Sequence, residues 1–357
     1  MAGYQERLGG VREINSVNEH EIKTAIVNSS TFGENFEDLM ERLRAIGSVE
    51  GFQLEPDVDG KRLAEALEGY QYVIASVTPN FPETFFERTE KLKLIARHGI
   101  GCDNVDLEAA TEAGVIVTRV AHRAERDSVA ELTISLVMTC IRDVIPANEA
   151  VEKNQWGRRN EFVGKELSGM SIGIIGYGNI GSRVGEIISE GFGAEVSAYD
   201  PNIADSVIEK TGVKSAGFEE VLRNSDLLSF NASLNEDNYH FVGEEEFELM
   251  KDGVVIVNTA RGELMDESAL ISALETGKVR CAGVDVLEEE PPSAGSKVRE
   301  LDNLYVLPHV GSYTEKSLRA MDEKMVEDIE KLVKGKVPEE IVNPEVIRSE
   351  NRAGVGK

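Results

Sequence analysis

The sequence predicts an α/β protein built from two doubly wound parallel-sheet domains. Three observations carry that reading. Short apolar runs alternate with amphipathic segments along most of the chain, with glycine at several turns. One such unit is unusually complete: an apolar run over 171–175, then Gly176-Tyr177-Gly178-Asn179-Ile180-Gly181, a helix-like segment over 182–190, and a second run over 194–199 that ends in Asp200. The length, 357 residues, is long for one domain and comfortable for two.

Taken in order, residues 1–20 are polar and without periodicity and read as a flexible extension. From Glu21 the alternation begins. Segments 23–27, 72–75, 94–96 and 115–118 are strands, and 34–46 is an amphipathic helix, which together suggest a first parallel-sheet domain over 21–120. Residues 124–144 read as one long helix. Val129, Leu132, Leu136, Val137, Cys140 and Val144 keep helical spacing, while Ile134, Met138 and Ile141 add a second apolar side. Such a helix is buried on more than one side, between domains or in a subunit interface. Beyond Asp200, further strands at 226–230, 254–257, 281–286 and 304–307, with helices such as 267–275 between them, extend a second sheet over 121–309. The helix 317–333 lies where the chain can return to the first domain over 310–345, and 346–357 reads as a flexible tail.

Composition narrows the function. Hydrophobic residues make up 41% and charged residues 29%, an ordinary balance for a soluble protein. The most apolar stretch, 132–141, is about half a membrane span and is interrupted by Thr133, Ser135 and Thr139, so no membrane partner is expected. No secretory signal opens the chain. Cys102, Cys140 and Cys281 are isolated, which suits a reduced cytoplasmic protein and argues against a zinc site; no metal is expected. A net charge of −27 disfavours nucleic acid and anionic lipid. It also repels small anions, so a site for one must supply its own positive charge. The acidic surface suits a salty or hot habitat and equally an ordinary acidic protein.

The glycine motif has a specific chemistry. Gly176 permits the tight turn, Gly178 lets backbone approach a pyrophosphate, and Gly181 lets helix and strand pack closely. The N-terminus of the helix that follows then offers unpaired N–H groups and a positive dipole end, and Asn179 and Ile180 are expected with the glycines to bind the cofactor. Asp200 follows Gly176 by 24 residues, about where a carboxylate grips the adenosine ribose. A carboxylate repels a 2′-phosphate, and Pro201 and Asn202 bring no cation to receive one. NAD is expected rather than NADP.

Three segments stand at the C-terminal ends of predicted strands, where ligands bind in open α/β sheets. They are Asn258-Thr259-Ala260-Arg261-Gly262-Glu263, Val284-Asp285-Val286-Leu287-Glu288-Glu289-Glu290-Pro291 and Leu307-Pro308-His309-Val310-Gly311-Ser312. An arginine can hold a carboxylate and polarise the neighbouring carbonyl. An imidazolium can give a proton to the forming alkoxide while NADH gives hydride, and a carboxylate beside the imidazole stabilises its charged form. That set suits reduction of a 2-keto acid.

With these segments, and with residues 96–106 (Ala-Arg-His-Gly-Ile-Gly-Cys-Asp-Asn-Val-Asp) and Ser128-Val129-Ala130-Glu131, the chain resembles the D-isomer-specific 2-hydroxyacid dehydrogenase family from about residue 70 to 315. The resemblance implies a Rossmann NAD-binding domain inserted into a flavodoxin-like substrate domain, flanking a cleft. It implies Arg261, Glu290 (the acid immediately before proline) and His309 as the catalytic set. It implies substrate contacts from Ser76, Ile100 and Gly101, and contacts of Thr259 and Asp285 with the nicotinamide end. Asp285 also suits capping a turn, the lesser of its two readings. Asn231, Ala232 and Ser233 stand where the family presents a His-Val-Pro-like loop to the adenosine side. Glu288 and Glu289 read as a solvated acidic turn, and His20, His98, His122 and His240 as structural or exposed. A small 2-keto or 2-hydroxy acid and a second copy of the chain, paired through the nucleotide-binding domain near Trp156, are the expected partners. Two other readings remain open. One is a phosphoglycerate dehydrogenase lacking a regulatory domain, against which the segment Ala75-Ser76-Val77-Thr78-Pro79-Asn80 brings no Arg or Lys. The other is a dinucleotide-sensing scaffold, against which the Arg–Glu–His set is complete.

Overall fold

A computed structural model describes residues 22–121 and 123–347. The expected N-terminal extension, His20, His122 and the chain from 348 onward lie outside the described residues. The chain divides into two compact units, one running to Ala124 and resuming at Thr314, the other covering Glu125–Tyr313.

The first unit carries β1 (Lys23–Val27), β2 (Ser48–Phe52), β3 (Tyr72–Ala75), β4 (Leu94–Arg97) and β5 (Ile116–Thr118), paired in parallel in the order β2-β1-β3-β4-β5. This is the flavodoxin-like order. Every residue of β3 and β4 is buried, as a parallel sheet covered on both faces requires. The pleat sends Val73, Ala75 and Ile95 to one face, against Leu63, Phe81 and Phe85, and Tyr72, Ile74 and Leu94 to the other. There they meet the helix Glu315–Val333, whose Leu318, Met321, Met325 and Ile329 keep helical spacing. Asn343 fastens the returning chain: its Oδ1 accepts the Val117 N–H at 2.9 Å and its Nδ2 donates to the Val115 carbonyl at 2.9 Å. Val346, assigned from sequence to the flexible tail, is buried, and its N–H donates to the Asn343 carbonyl at 3.2 Å.

The second unit carries β6 (Ser171–Ile175), β7 (Glu195–Tyr199), β8 (Lys214–Ser215), β9 (Leu227–Phe230), β10 (Val254–Asn258), β11 (Val279–Val284) and β12 (Leu304–Val306). Their order is β12-β11-β10-β9-β6-β7-β8, again with every pairing parallel. This is the doubly wound order whose strand sequence reverses beside β6. Alternate residues again divide between two cores. Leu228, Phe230 and Ile256 face one side, and Leu227, Val255 and Val257 the other.

The long helix expected over 124–144 is two helices, Arg126–Ile141 and Val144–Glu152. The break is Asp143, held at φ 50 in the left-handed region. Arg280 secures it by donating to Asp143 Oδ1 at 3.0 Å and to the Cys140 carbonyl. Apolar spacing continues smoothly through this point, but Pro146 interrupts the helix: it has no N–H for the Arg142 carbonyl one turn back and its ring crowds that carbonyl, so one helix cannot run through, and Arg280 holds the resulting bend. Ile134 and Met138, expected on a second apolar face, pack against the core of their own unit. Among the described residues no helix is long and apolar enough to cross a membrane.

Arg280→Ala leaves the Asp143 carboxylate and a helix-terminal carbonyl without their donor, and should lower stability by about 1–3 kcal/mol. Urea unfolding checks this; an unchanged midpoint would show that the helix break holds without the arginine.

Candidate active site

The site residues are laid down by strand ends. β6 ends at Ile175 and delivers Gly176, at φ 86. A Cβ there would lie 2.5 Å from the backbone N and Cα of Ala232, so the turn and the loop after β9 pack backbone to backbone. A Cβ on Gly181 would lie 2.0 Å from the Gly176 carbonyl oxygen. Gly178 differs, because a Cβ there would meet nothing within 4 Å: the space before the helix Asn179–Glu186 is open. No side chain caps that helix, so its first N–H groups, at Asn179, Ile180 and Gly181, face this space. Ile180 also packs on the core.

Asp200, just beyond β7, is half-buried. Its Oδ2 accepts the Tyr177 N–H and its Oδ1 the Asn202 N–H, each at 2.8 Å. The carboxylate is thereby fixed beside the glycine turn, with acceptor capacity left on each oxygen. Asn231 donates from Nδ2 to Ser229, while its Oδ1 is buried without a partner. A bare helix N-terminus, open space at Gly178, a fixed carboxylate and an orphaned amide oxygen together form a cradle that a dinucleotide fits.

β10, β11 and β12 deliver the ionisable groups. Asn258, fully buried, shapes the first loop: its Oδ1 accepts the Ala260 N–H at 3.0 Å and its Nδ2 donates to the Arg261 carbonyl at 2.8 Å. Gly262 then packs so tightly on the Leu287–Glu288 backbone that a Cβ would lie 2.0 Å from the Leu287 carbonyl carbon. That contact seats the Arg261 loop against the Glu290 loop. Thr259 Oγ1 lies 2.8 Å from Thr133 Oγ1, and Thr133 donates to the Val129 carbonyl at 2.8 Å, so the Thr259 hydroxyl is the donor between them.

His309 Nδ1 lies 2.8 Å from Glu290 Oε2, and Glu290 Oε1 accepts the Leu287 N–H at 2.9 Å. Burial pushes the Glu290 carboxyl up, but the hydrogen bond and charge of His309, the Leu287 N–H and the Arg261 guanidinium hold it below the usual range. Glu290 is therefore ionised at neutral pH. Against an ionised carboxylate Nδ1 carries hydrogen, leaving Nε2 to gain or lose the working proton. His309 sits at φ 55, uncommon for a residue with a side chain. Asp285 holds it there. The Asp285 carbonyl accepts the His309 N–H at 2.9 Å, Oδ1 the Val310 N–H at 2.8 Å and Oδ2 the Gly311 N–H at 2.7 Å. Asp285 is 2% exposed, and burial raises its carboxyl above the usual range against those donors and the charge of His309.

Ser76, Ile100 and Gly101 stand in the first unit, following β3 and β4. One expectation about a neighbouring charge needs correction. Glu288 is not part of a solvated turn: its Oε1 accepts the Glu267 N–H at 2.8 Å and lies 2.8 Å from His240 Nε2. Only Glu289 is exposed. Asn258, Gly262 and Thr133 were not singled out from sequence, since each matters only through a contact with a distant loop. Among the described residues no cluster of His, Cys, Asp or Glu could hold a metal.

Comparison with known proteins agrees with this architecture. Residues 134–311 match the family model for the NAD-binding domain of D-isomer-specific 2-hydroxyacid dehydrogenases. The chain is 36% identical over 308 residues to a D-3-phosphoglycerate dehydrogenase of Methanocaldococcus jannaschii, covering 86% of this chain but only 57% of that protein. It is 32% identical to a glyoxylate reductase of Thermococcus litoralis, covering 80% of this chain and 88% of that one. The chain belongs to the D-isomer-specific 2-hydroxyacid dehydrogenases. By family it is an NAD-dependent oxidoreductase. Among solved structures it is similar to the D-lactate dehydrogenase of Aquifex aeolicus, complexed with NAD and lactic acid, with a TM-score of 0.77 and 27% identity over 91% of this chain and 98% of that one.

For this 2-hydroxyacid dehydrogenase, Asp285→Asn tests how the His309 loop is held. An amide presents a donor to one of two backbone N–H groups, so stability should fall by about 1–3 kcal/mol. Thermal unfolding without ligands measures it; an unchanged melting temperature would remove Asp285 from that role.

Proposed function

We propose that this chain reduces a small 2-keto acid to the D-2-hydroxy acid, with His309 as proton donor. The observation that carries the reading is the 2.8 Å pairing of His309 Nδ1 with Glu290 Oε2, with the Glu290 loop packed against the one bearing Arg261. NADH, when bound, supplies the hydride. Arg261 pairs with the substrate carboxylate and draws electron density from the adjacent carbonyl. His309, doubly protonated, delivers the Nε2 proton to the oxygen as it becomes an alkoxide, and Glu290 stabilises the imidazolium until that proton leaves. In the first unit we assign contact with the substrate to Ser76 and to the backbone of Ile100 and Gly101. In the second, we assign the pyrophosphate to the Gly176–Gly181 turn, the ribose to Asp200, the adenosine side to Asn231 and Ala232, and the nicotinamide end to Thr259 and Asp285.

Residues 75–80 contain no Arg or Lys, which supports a substrate without a phosphate, such as glyoxylate, hydroxypyruvate or pyruvate. Similarity to the phosphoglycerate dehydrogenase favours a second reading, a phosphorylated hydroxy acid. A panel of these keto acids with 3-phosphohydroxypyruvate, each assayed with NADH and NADPH, separates the two. Turnover should favour NADH and the unphosphorylated acids. Preference for the phosphorylated acid supports the second reading; preference for NADPH contradicts the role of Asp200; no turnover of any leaves a dinucleotide-sensing scaffold.

We further propose a cytoplasmic homodimer paired through the NAD-binding units. Support comes from the segment after the helix break, where Trp156 is 71% and Val163 80% exposed. Light scattering at low micromolar concentration should give twice the 39.1 kDa chain mass; a stable monomer would contradict it.

The Glu290→Gln variant removes the anion that holds the imidazolium. Its rate of reduction should fade at a lower pH than that of the unmodified enzyme. Superimposable pH–rate profiles would separate Glu290 from the proton transfer.

A further inference from the structure

Beneath one of the two proposed substrate-holding loops of the first unit lies a buried cation. Arg97 ends β4 and is 3% exposed. Its Nη1 donates to the His98 carbonyl at 2.8 Å and reaches the Ala75 carbonyl at 3.5 Å, while Nε donates to Asn104 Oδ1 at 3.3 Å. The guanidinium fills the space under Gly99, where a Cβ would lie 2.9 Å from Nη1.

Asn104 completes the arrangement. Arginine can only donate, so the amide oxygen faces it and both Nδ2 hydrogens are left to donate elsewhere. They reach the carbonyls of Ser76, at 3.1 Å, and Pro79, at 3.0 Å. Asn104 thus grips the turn after β3, Arg97 grips the turn after β4, and one hydrogen bond joins the grips. The far side of the second turn is also fixed. His98 Nε2 lies 2.7 Å from Asp322 Oδ1, and Asp322 Oδ2 accepts the Gly33 N–H at 3.0 Å.

We propose that Arg97 and Asn104 are a positioning pair that holds Ser76 in register with the Ile100–Gly101 backbone, and so sets KM for the keto acid without touching it. The proposal rests on the reading that these two loops hold the substrate. A carboxylate shared between two turns needs their donors placed to within a fraction of an ångström, which loops alone do not guarantee. The guanidinium supplies the rigidity. Its charge is buried and satisfied by the carbonyl and amide oxygens of both turns, so moving either turn away strips a buried cation of a partner.

Asn104→Asp isolates the tie. The variant keeps an oxygen facing Arg97, now as a carboxylate, and replaces both amide donors by an oxygen that repels the Ser76 and Pro79 carbonyls, so the grip on that turn is broken while the contact with Arg97 stays. KM for glyoxylate should rise about tenfold, the effect of losing one or two buried hydrogen bonds, while kcat changes by less than about threefold. The NADH dissociation constant should not move, because the NAD-binding unit is unaltered. Arg97→Lys, which keeps the charge and loses the planar fork, should show the same split and serves if the first variant does not fold. Hydrogen–deuterium exchange gives a second readout: it should rise over residues 76–81 in Asn104→Asp, and over both 76–81 and 99–105 in Arg97→Lys. An unchanged KM in the folded variants, or parallel losses in kcat and NADH binding, would overturn the proposal. If the unmodified protein turns over no keto acid, the functional reading has failed. Exchange then decides alone: that pattern upholds the tie between the two turns, and no rise over 76–81 in either variant overturns it.

Discussion

A parallel strand has to be covered on both faces, and this requirement arranges the rest of the molecule. Helical crossovers cover the faces, so the strands of each sheet run the same way and their C-terminal ends share one edge. Every candidate site residue follows such an end. Gly176 comes after β6, Asp200 after β7, Asn231 after β9, Thr259 and Arg261 after β10, Asp285 and Glu290 after β11, and His309 after β12. In the first unit Ser76 follows β3, and Ile100 and Gly101 follow β4. Hydrophobic burial has thus gathered charged and polar groups that lie far apart in sequence.

A shared edge does not by itself make a catalytic geometry. Turns drift unless their backbone groups are held, and here buried polar side chains hold them. Asn258 uses both ends of its amide on the Arg261 loop. Asp285 uses its carbonyl and both carboxylate oxygens on the His309 loop. The left-handed conformation of His309 costs roughly 1–2 kcal/mol, and the hydrogen bonds that His309, Val310 and Gly311 donate to Asp285, two of them charge-assisted, offset that cost. Gly262 contributes by absence: only a residue without Cβ lets the loops after β10 and β11 meet backbone to backbone. Local rigidity also answers the long-range problem of a net charge of −27, because a screened surface field matters less to an anion than a fixed guanidinium at contact distance.

Much of this was legible in the sequence, for identifiable reasons. The buried strands read clearly because both faces are apolar, and the glycine motif read clearly because strand, turn, helix and acid follow within one local unit. The edge strand β2 was not legible. Its sequence, Ser-Val-Glu-Gly-Phe, has little intrinsic strand character and is strand because β1 offers it hydrogen bonds. The break at Asp143 is marked by Pro146, which apolar spacing does not register, while the pairing of Glu288 depends on His240 and Glu267, contacts that local spacing does not encode. Arg261, Glu290 and His309 were proposed through family resemblance laid over residue chemistry. Asn258 and Gly262, which hold them in place, carry no chemical signature of their own.

The central claim is that His309, oriented by Glu290, gives the proton in keto-acid reduction. It is tested most directly by single-turnover oxidation of bound NADH with glyoxylate in His309→Gln, alongside the NADH dissociation constant of the same protein. The expected result is a loss of about 10²–10⁴-fold in rate with NADH binding unchanged. A rate close to that of the unmodified enzyme would contradict the claim.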